Sequence, residues 1–377
     1  MMIDITKVNG IYVGNTKYAR MYFRDKRIYP INHIKGDTIT FSVEAGTTLS
    51  FSNYKNAVPI TDWGDGTIDS LSTHTYSLPG MYTIITSLDM SSSDTTTKLA
   101  CVAVEGLDDT TTQAQELFAG CTNLKIVKAL NYTLSNCKNM FSGCTSLESV
   151  PDLPETVVNA DYMFNNCYSL TKAPKLNKGL VSCNSMFYGC SKLVDVQNQL
   201  PSTVKDAKMM FYNCSSLLVA PELNDTISTC NHMFYGCKNL ITPPSVLPAS
   251  ITGCSYMFGV CTNMKTTPII SDGITNCSYM FYKCTSITKL NGTIPSSVTN
   301  TNATFKECTD LQQAPDIPKS VRNCMFMFEK CTSLMELSQY NISLFTDSTM
   351  KATKLGCYRG CTNLINPSYS SIPSAWK

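Results

Sequence analysis

The chain has 377 residues, of which 43% are hydrophobic and 15% charged, with a formal net charge of +2. That balance excludes a disordered polar tail and a strongly basic polyanion binder, and the length suffices for more than one packed core. No stretch reaches the length of a membrane span, which argues against membrane insertion, and the start at Met1, Met2 and Ile3 lacks the basic-then-apolar pattern of a leader. The expectation is a protein made in the cytoplasm that leaves it by a route such as host lysis.

Residues 1–36 carry seven Lys or Arg against Asp4 and Asp25, a local charge of 7 − 2 = +5. Two runs, Gly10 to Lys17 and Met21 to Pro30, each alternate apolar and polar residues as a half-buried strand does. They resemble the repeated Tyr-x-Gly strand segments near the ends of many bacteriophage virion proteins. The resemblance implies an attachment module, with Tyr12, Lys17, Arg20, Tyr22, Arg24, Lys26, Arg27 and Tyr29 as docking candidates toward other virion proteins. No helix, glycine-rich loop or aromatic-basic groove accompanies the charge, so nucleic acid is not the expected partner.

Residues 37–105 turn to short runs of Thr, Ser, Val and Ile. The stretch Trp63-Gly64-Asp65-Gly66-Thr67, then His74-Thr75-Tyr76, then Pro79-Gly80-Met81-Tyr82, is similar to the signature of PKD domains, small immunoglobulin-like β-sandwiches. Asp-Gly and Pro-Gly supply tight turns, and Trp63 and Tyr82 suit a core between two sheets. Asp62, Asp65 and Asp69 are read as turn-forming acids in preference to calcium ligands.

Residues 106–377 repeat. Ten phenylalanines, Phe118, Phe141, Phe164, Phe187, Phe211, Phe234, Phe258, Phe281, Phe305 and Phe328, follow one another at 23 or 24 residues. A period of that length marks a solenoid whose coils cannot bury their apolar face alone. With each Phe as position zero, a cysteine stands at +3 in every coil: Cys121, Cys144, Cys167, Cys190, Cys214, Cys237, Cys261, Cys284, Cys308 and Cys331. Leu, Met or Ile stands at +6 from Leu147 onward, Val, Ile or Leu at −7, and a small residue at −4. Positions −4, −1, 0 and +3 share one face of a short helical turn, and the residues at −7 and +6 read as short parallel strands beside it. A further coil follows after 30 residues, with Tyr358, Cys361 and Leu364 in the Phe, Cys and Leu positions. The pattern resembles the BspA-like, MFxxC-type leucine-rich repeats. The fold class is thus multi-domain: an N-terminal β segment, a PKD/Ig-like β-sandwich and a solenoid of ten to eleven coils.

Seventeen of the nineteen cysteines fall at −4 or +3 of a coil; Cys101 and Cys357 lie outside. Stacked equivalents have parallel Cβ vectors, which is poor disulfide geometry, and spacings of seven with almost no histidine do not suit zinc. The reading is a ladder of reduced thiols, without metal or cofactor. No catalytic motif appears, and the acid pairs Glu148 with Asp152 and Asp310 with Asp316 read as solvated turn acids, so no enzyme is expected. Candidate binding residues are Tyr162, Tyr188, Tyr212, Tyr235, Tyr256, Tyr279 and Tyr282, at −2 or +1, where they flank the buried face. A rival surface lies beyond the +6 position, with Lys172, Lys175, Asp195, Gln197, Glu222, Lys289, Gln312 and Asp316. The expected function is that of a virion structural protein, a fibre or decoration, whose solenoid adheres to host surface glycan or protein, with homo-oligomerisation left open. The alternatives are a bacterial cell-surface adhesin of the same build and a polysaccharide depolymerase.

Overall fold

A computed structural model describes residues 11–13, 16–18, 21–23, 26–29, 36–51, 61–86, 89–349 and 351–377. Two short antiparallel hairpins come first. Strands β1 (Ile11–Val13) and β2 (Thr16–Tyr18) form one, β3 (Met21–Phe23) and β4 (Lys26–Tyr29) the other. Tyr12, Lys17, Tyr22, Lys26, Arg27 and Tyr29 stand on these strands, whereas Arg20 and Arg24 lie outside the described residues.

The next unit is built on β5 (Asp37–Val43), β6 (Thr48–Ser50), β7 (Thr61–Asp62), β8 (Ile68–Asp69), β9 (Thr73–Thr75) and β10 (Gly80–Thr86). A helix, α1 (Thr95–Ala100), leads from it into β11 (Cys101–Gly106). Ile39 and Phe41 of β5, with Leu49, Phe51, Trp63, Tyr76 and Ile84, are buried together. Trp63 stacks on His74 at 5.0 Å and donates its indole N–H to Asp69 Oδ1 at 3.0 Å. Asp62 Oδ1 accepts the Gly64 N–H, Asp65 Oδ1 accepts the Thr67 N–H, and Asp65 Oδ2 lies 2.7 Å from His74 Nε2. Asp62 and Asp65 thus cap the turn that follows Trp63, as Asx-type bonds do, and Asp69 caps the next turn by accepting the Leu71 N–H at 3.0 Å.

One sheet runs from this unit into the solenoid. Its order is β12-β11-β5-β10-β7-β8, where β12 (Ile126–Val127) belongs to the first coil. Strand β11 pairs antiparallel with β5 and parallel with β12, so residues 101–106 are at once the edge of the N-terminal sheet and the first rung of the coils. Beyond them the coils are joined mostly by single parallel bridges: Ile126 with Ser149 continues this ladder, and a separate series at −5 runs through Gln113, Asn136, Asn159, Ser182, Asp206 and Thr229. Among the described residues one further strand pair forms between coils, β13 (Val246–Leu247) with β14 (Ile269–Ile270).

The segment from −4 to +3 is not a helical turn. Residues at −2 and +2 have positive φ, as in Tyr162 (56°) and Asn166 (58°), and that breaks any helix. Backbone donors alternate instead. In the Phe164 coil, Met163, Asn165 and Cys167 close three-residue turns on Ala160, Tyr162 and Phe164. Ala160, Tyr162, Phe164 and Asn166 donate to the next coil. The alternation ties every second residue to a neighbouring layer, and the left-handed residues supply the turns between.

The core is a set of columns. Nine Phe–Phe contacts run through the ten rings with centroids 5.3–5.8 Å apart and planes within 23°, an offset stack. Tyr358 extends the stack at 5.4 Å and Trp376 covers it at 5.9 Å. Beside the rings, each +3 thiol from Cys144 to Cys361 donates to the Phe carbonyl of the preceding coil at 2.9–3.2 Å. That carbonyl also accepts the N–H of its own coil's cysteine, as Phe141 O does from Cys144 N at 3.1 Å. Both carbonyl lone pairs are used in a dry interior, where an unmet acceptor is costly. The −4 thiols meet methionines, as Cys230 Sγ does Met257 Sδ at 3.7 Å and Cys254 Sγ does Met280 Sδ at 3.6 Å. All nineteen cysteines are free and buried.

Near the far end, Glu329 is a buried acid held between cations. Lys306 Nζ lies 2.8 Å from Oε2, and Arg359 donates to Oε1 through Nε at 2.8 Å. Both cations also lie over the Phe326 ring, at 5.5 and 4.7 Å from its centroid. Burial pushes the Glu329 carboxyl up, but the bonds from Lys306 and Arg359 outweigh it and hold it below the ordinary 4.5.

Two outcomes follow. Burial pushes the Cys230 thiol up to about 12, so thiolate is scarce at neutral pH. Native protein is expected to react negligibly with a thiol reagent and to titrate nineteen thiols once unfolded. Cys214→Ala is expected to cost about 1–3 kcal/mol in urea unfolding, because it orphans the Phe187 carbonyl lone pair. For Glu329, folding lowers the pKa, so its stabilisation is present above the unfolded value and lost as pH falls through the folded one. The stability gap between wild type and Glu329→Gln is expected to be full at pH 7 and to close below about 4.5. A gap unchanged at pH 3 would count against this ion cluster.

Candidate functional site

Because every coil repeats the same core, its surface positions form columns as regular as those inside. The +1 column reads Ala119, Ser142, Asn165, then Tyr188, Tyr212, Tyr235, Gly259, Tyr282, then Lys306, Glu329 and Arg359. The −2 column carries His232, Tyr256 and Tyr279 in the middle coils, with Tyr162 farther upstream. The hydrogen bonds that build the turn come from backbone atoms, so they do not dictate these side chains.

The middle coils bring seven rings into one partly exposed surface. Tyr188 and Tyr212 stack at 4.6 Å within 2°, and Tyr212 and Tyr235 at 4.9 Å within 15°. A second stack joins His232 to Tyr256 at 4.8 Å and Tyr256 to Tyr279 at 4.4 Å. Edge contacts link the stacks: Tyr235 meets Tyr256 at 6.1 Å and 62°, and Tyr279 meets Tyr282 at 5.8 Å and 80°. Gly259 makes the junction possible. A Cβ there would lie 2.7 Å from the Tyr235 ring, so a side chain would push that ring away. Tyr162 is 40% exposed and has no ring partner among the described residues.

The −2 rings stand on left-handed backbone, 56° at Tyr256 and Tyr279 and 58° at His232. Such φ values cost bulky residues on the order of 1–3 kcal/mol, and an aromatic pair returns roughly 0.5–1.5 kcal/mol. Backbone preference would place Gly or Asn there, so the rings are not a by-product of the fold. Stacking also uses up ring faces. The inner rings share both faces with neighbours, which leaves their electropositive edges for a partner. Burial pushes the His232 pKa down and leaves the ring neutral at pH 7, and burial with its tyrosine neighbours pushes Tyr256 up to about 12. Downstream, Lys283 lies over the Tyr282 ring at 5.2 Å and pairs with Glu307 at 3.6 Å.

The rival surface lies elsewhere on the coil. Lys172 pairs with Asp195 at 3.5 Å, and with Lys175 and Gln197 they line an open groove of about 830 Å³. Gln312 lines a second groove of about 1040 Å³. Glu222 accepts the N–H and hydroxyl of Ser245, Asp316 accepts from Ser338, and Lys289 is exposed. The acid pairs do not converge on a base: Glu148 is exposed, and Asp152 accepts the Lys175 N–H at 2.9 Å. No group of three or more metal-ligating residues occurs among the described residues, and no described helix is long and apolar enough to cross a membrane.

Neither His232 nor Gly259 stands among the candidate binding residues that the sequence offers. The spacing of 24 between Tyr235 and Gly259 would have placed both in one column, but the tilt of a ring into an empty position has no sequence signal.

Residues 104–218 match the family model described as BspA type leucine rich repeat region, in six copies. Residues 222–316 and 252–355 match a model described as Mycoplasma protein of unknown function, DUF285. No curated protein matches the chain. Among solved structures, a leucine-rich cell surface protein from Faecalibacterium prausnitzii A2-165 is 18% identical, with a TM-score of 0.45 over 73% of this chain and 80% of that one. A leucine-rich repeat protein from Bacteroides ovatus ATCC 8483 is 15% identical, with a TM-score of 0.46 over 84% and 92%. A leucine rich repeat protein from T. pallidum is 26% identical, with a TM-score of 0.37 over 43% of this chain and 78% of that one. Residues 104–218, the first half of the solenoid, are thus similar to leucine-rich repeat regions of the BspA type.

Proposed function

We propose that this chain is a non-enzymatic adhesion protein, a structural component of a bacteriophage particle that presents its solenoid to the host cell surface. The observation that carries the adhesive role is the seven-ring surface on the middle coils, which neither the core nor the backbone requires. Pre-stacked tyrosines offer a large, rigid contact area at little entropic cost. Because the inner rings, Tyr212 and Tyr256, have both faces taken, a host surface protein suits their edges better than a sugar ring that needs an open face. The two N-terminal hairpins would dock to other virion proteins, and the PKD-like residues 37–105 would serve as spacer.

A second reading, a bacterial cell-surface adhesin, is favoured by the BspA-type match over residues 104–218. Removal of residues 1–36 separates the two. On the first reading the truncated protein folds but no longer enters particles, and normal incorporation would defeat the docking role. For the contact surface, replacing Tyr188, Tyr212 and Tyr235 together by Ala is expected to weaken binding to bacterial cells about tenfold or more without unfolding. Unchanged binding would move the contact to the grooves beside Lys172 and Gln312.

A further inference from the structure

A third column, at +7, is exposed in every coil and is polar at both ends of a short apolar run. Val194, Leu218 and Ile241 occupy three consecutive coils with 46%, 45% and 52% of their surface exposed. Lysine follows in the next coil at Lys265; on the other side stand Thr171 and then Glu148. Glu148 and Lys265 form no ion pair among the described residues. Three bare apolar side chains in adjacent layers make a contiguous patch, which a soluble surface exposes where something covers it.

We infer that a second copy of this chain covers it, in an antiparallel dimer. The charge order decides the partner and the direction. A two-fold axis along the solenoid would set Glu148 against the partner's Glu148 and Lys265 against the partner's Lys265, which repels. A two-fold axis across the solenoid reverses the column. Placed midway between the Phe187 and Phe211 coils, it sets Val194 against the partner's Leu218 and Thr171 against the partner's Ile241. Glu148 then meets the partner's Lys265, once on each side of the axis. Moved half a coil, through Leu218 itself, the axis leaves both charges facing threonine. An apolar centre flanked by opposite charges at its two ends is therefore self-complementary in one register. Met335 and Ile365 are also exposed at +7, but they lie beyond the paired span.

Sedimentation equilibrium of the full chain tests the arrangement. A dimer is expected, weaker at high salt, because exposed ion pairs are screened. Leu218→Glu is expected to leave monomer with unchanged circular dichroism. Glu148→Lys and Lys265→Glu should each raise the dissociation constant on the order of tenfold, since each places two like-charge contacts at the interface. The double reversal restores opposite charges and should restore the dimer. A monomer at all concentrations, a dimer indifferent to Leu218→Glu, or a double reversal as weak as the single ones would each overturn the proposal.

Discussion

The carbonyl of the ring residue holds this molecule together. In each pair of neighbouring coils it takes an N–H from its own layer and a thiol from the next, so that both lone pairs are met in a region without water. Few side chains fit that place. A cysteine is small enough to sit behind a stacked phenylalanine, it can donate, and burial keeps it protonated, as at Cys214 and Cys237. The thiol column is thus a hydrogen-bond ladder as much as a hydrophobic one. It explains why the residue three after the ring varies so little while that beside the ring ranges from Gly259 to Arg359.

That contrast makes the repeats their own control. Where ten layers share one core, a surface residue common to a few neighbouring layers owes nothing to folding. Aromatic rings gather at −2 and +1 in the middle coils, and apolar residues at +7 in three of them. Past Tyr282 the +1 column becomes Lys306, Glu329 and Arg359, an ion cluster closed around Phe326. The same scaffold therefore carries an aromatic face, a charged face and an apolar strip without altering its interior.

The N-terminal unit is bound to this scaffold by backbone. Strand β11 is shared, bonded to β5 on one side and to β12 on the other. Its position gives the first coil a paired neighbour instead of an open strand edge, as Trp376 gives the last ring a cover. A composition break at Glu105 marks the change of pattern, yet the chain's sheet runs through it.

The period of 23 or 24 and the identity of each layer's Phe, Cys and Leu were legible in the amino acids, because registry at a constant interval leaves one way to stack like on like. The same spacing suggested a helical turn from −4 to +3, and there it misled. Intervals of three and four residues arise equally from three successive turns with left-handed residues at −2 and +2, and the choice rests on N–H groups that bond to the next coil. The tilt of Tyr235 over Gly259 and the dual use of each Phe carbonyl were settled the same way. Sequence determined which residues share a column; tertiary structure decided how they face one another, since orientation depends on a neighbour that stands one whole coil away along the chain.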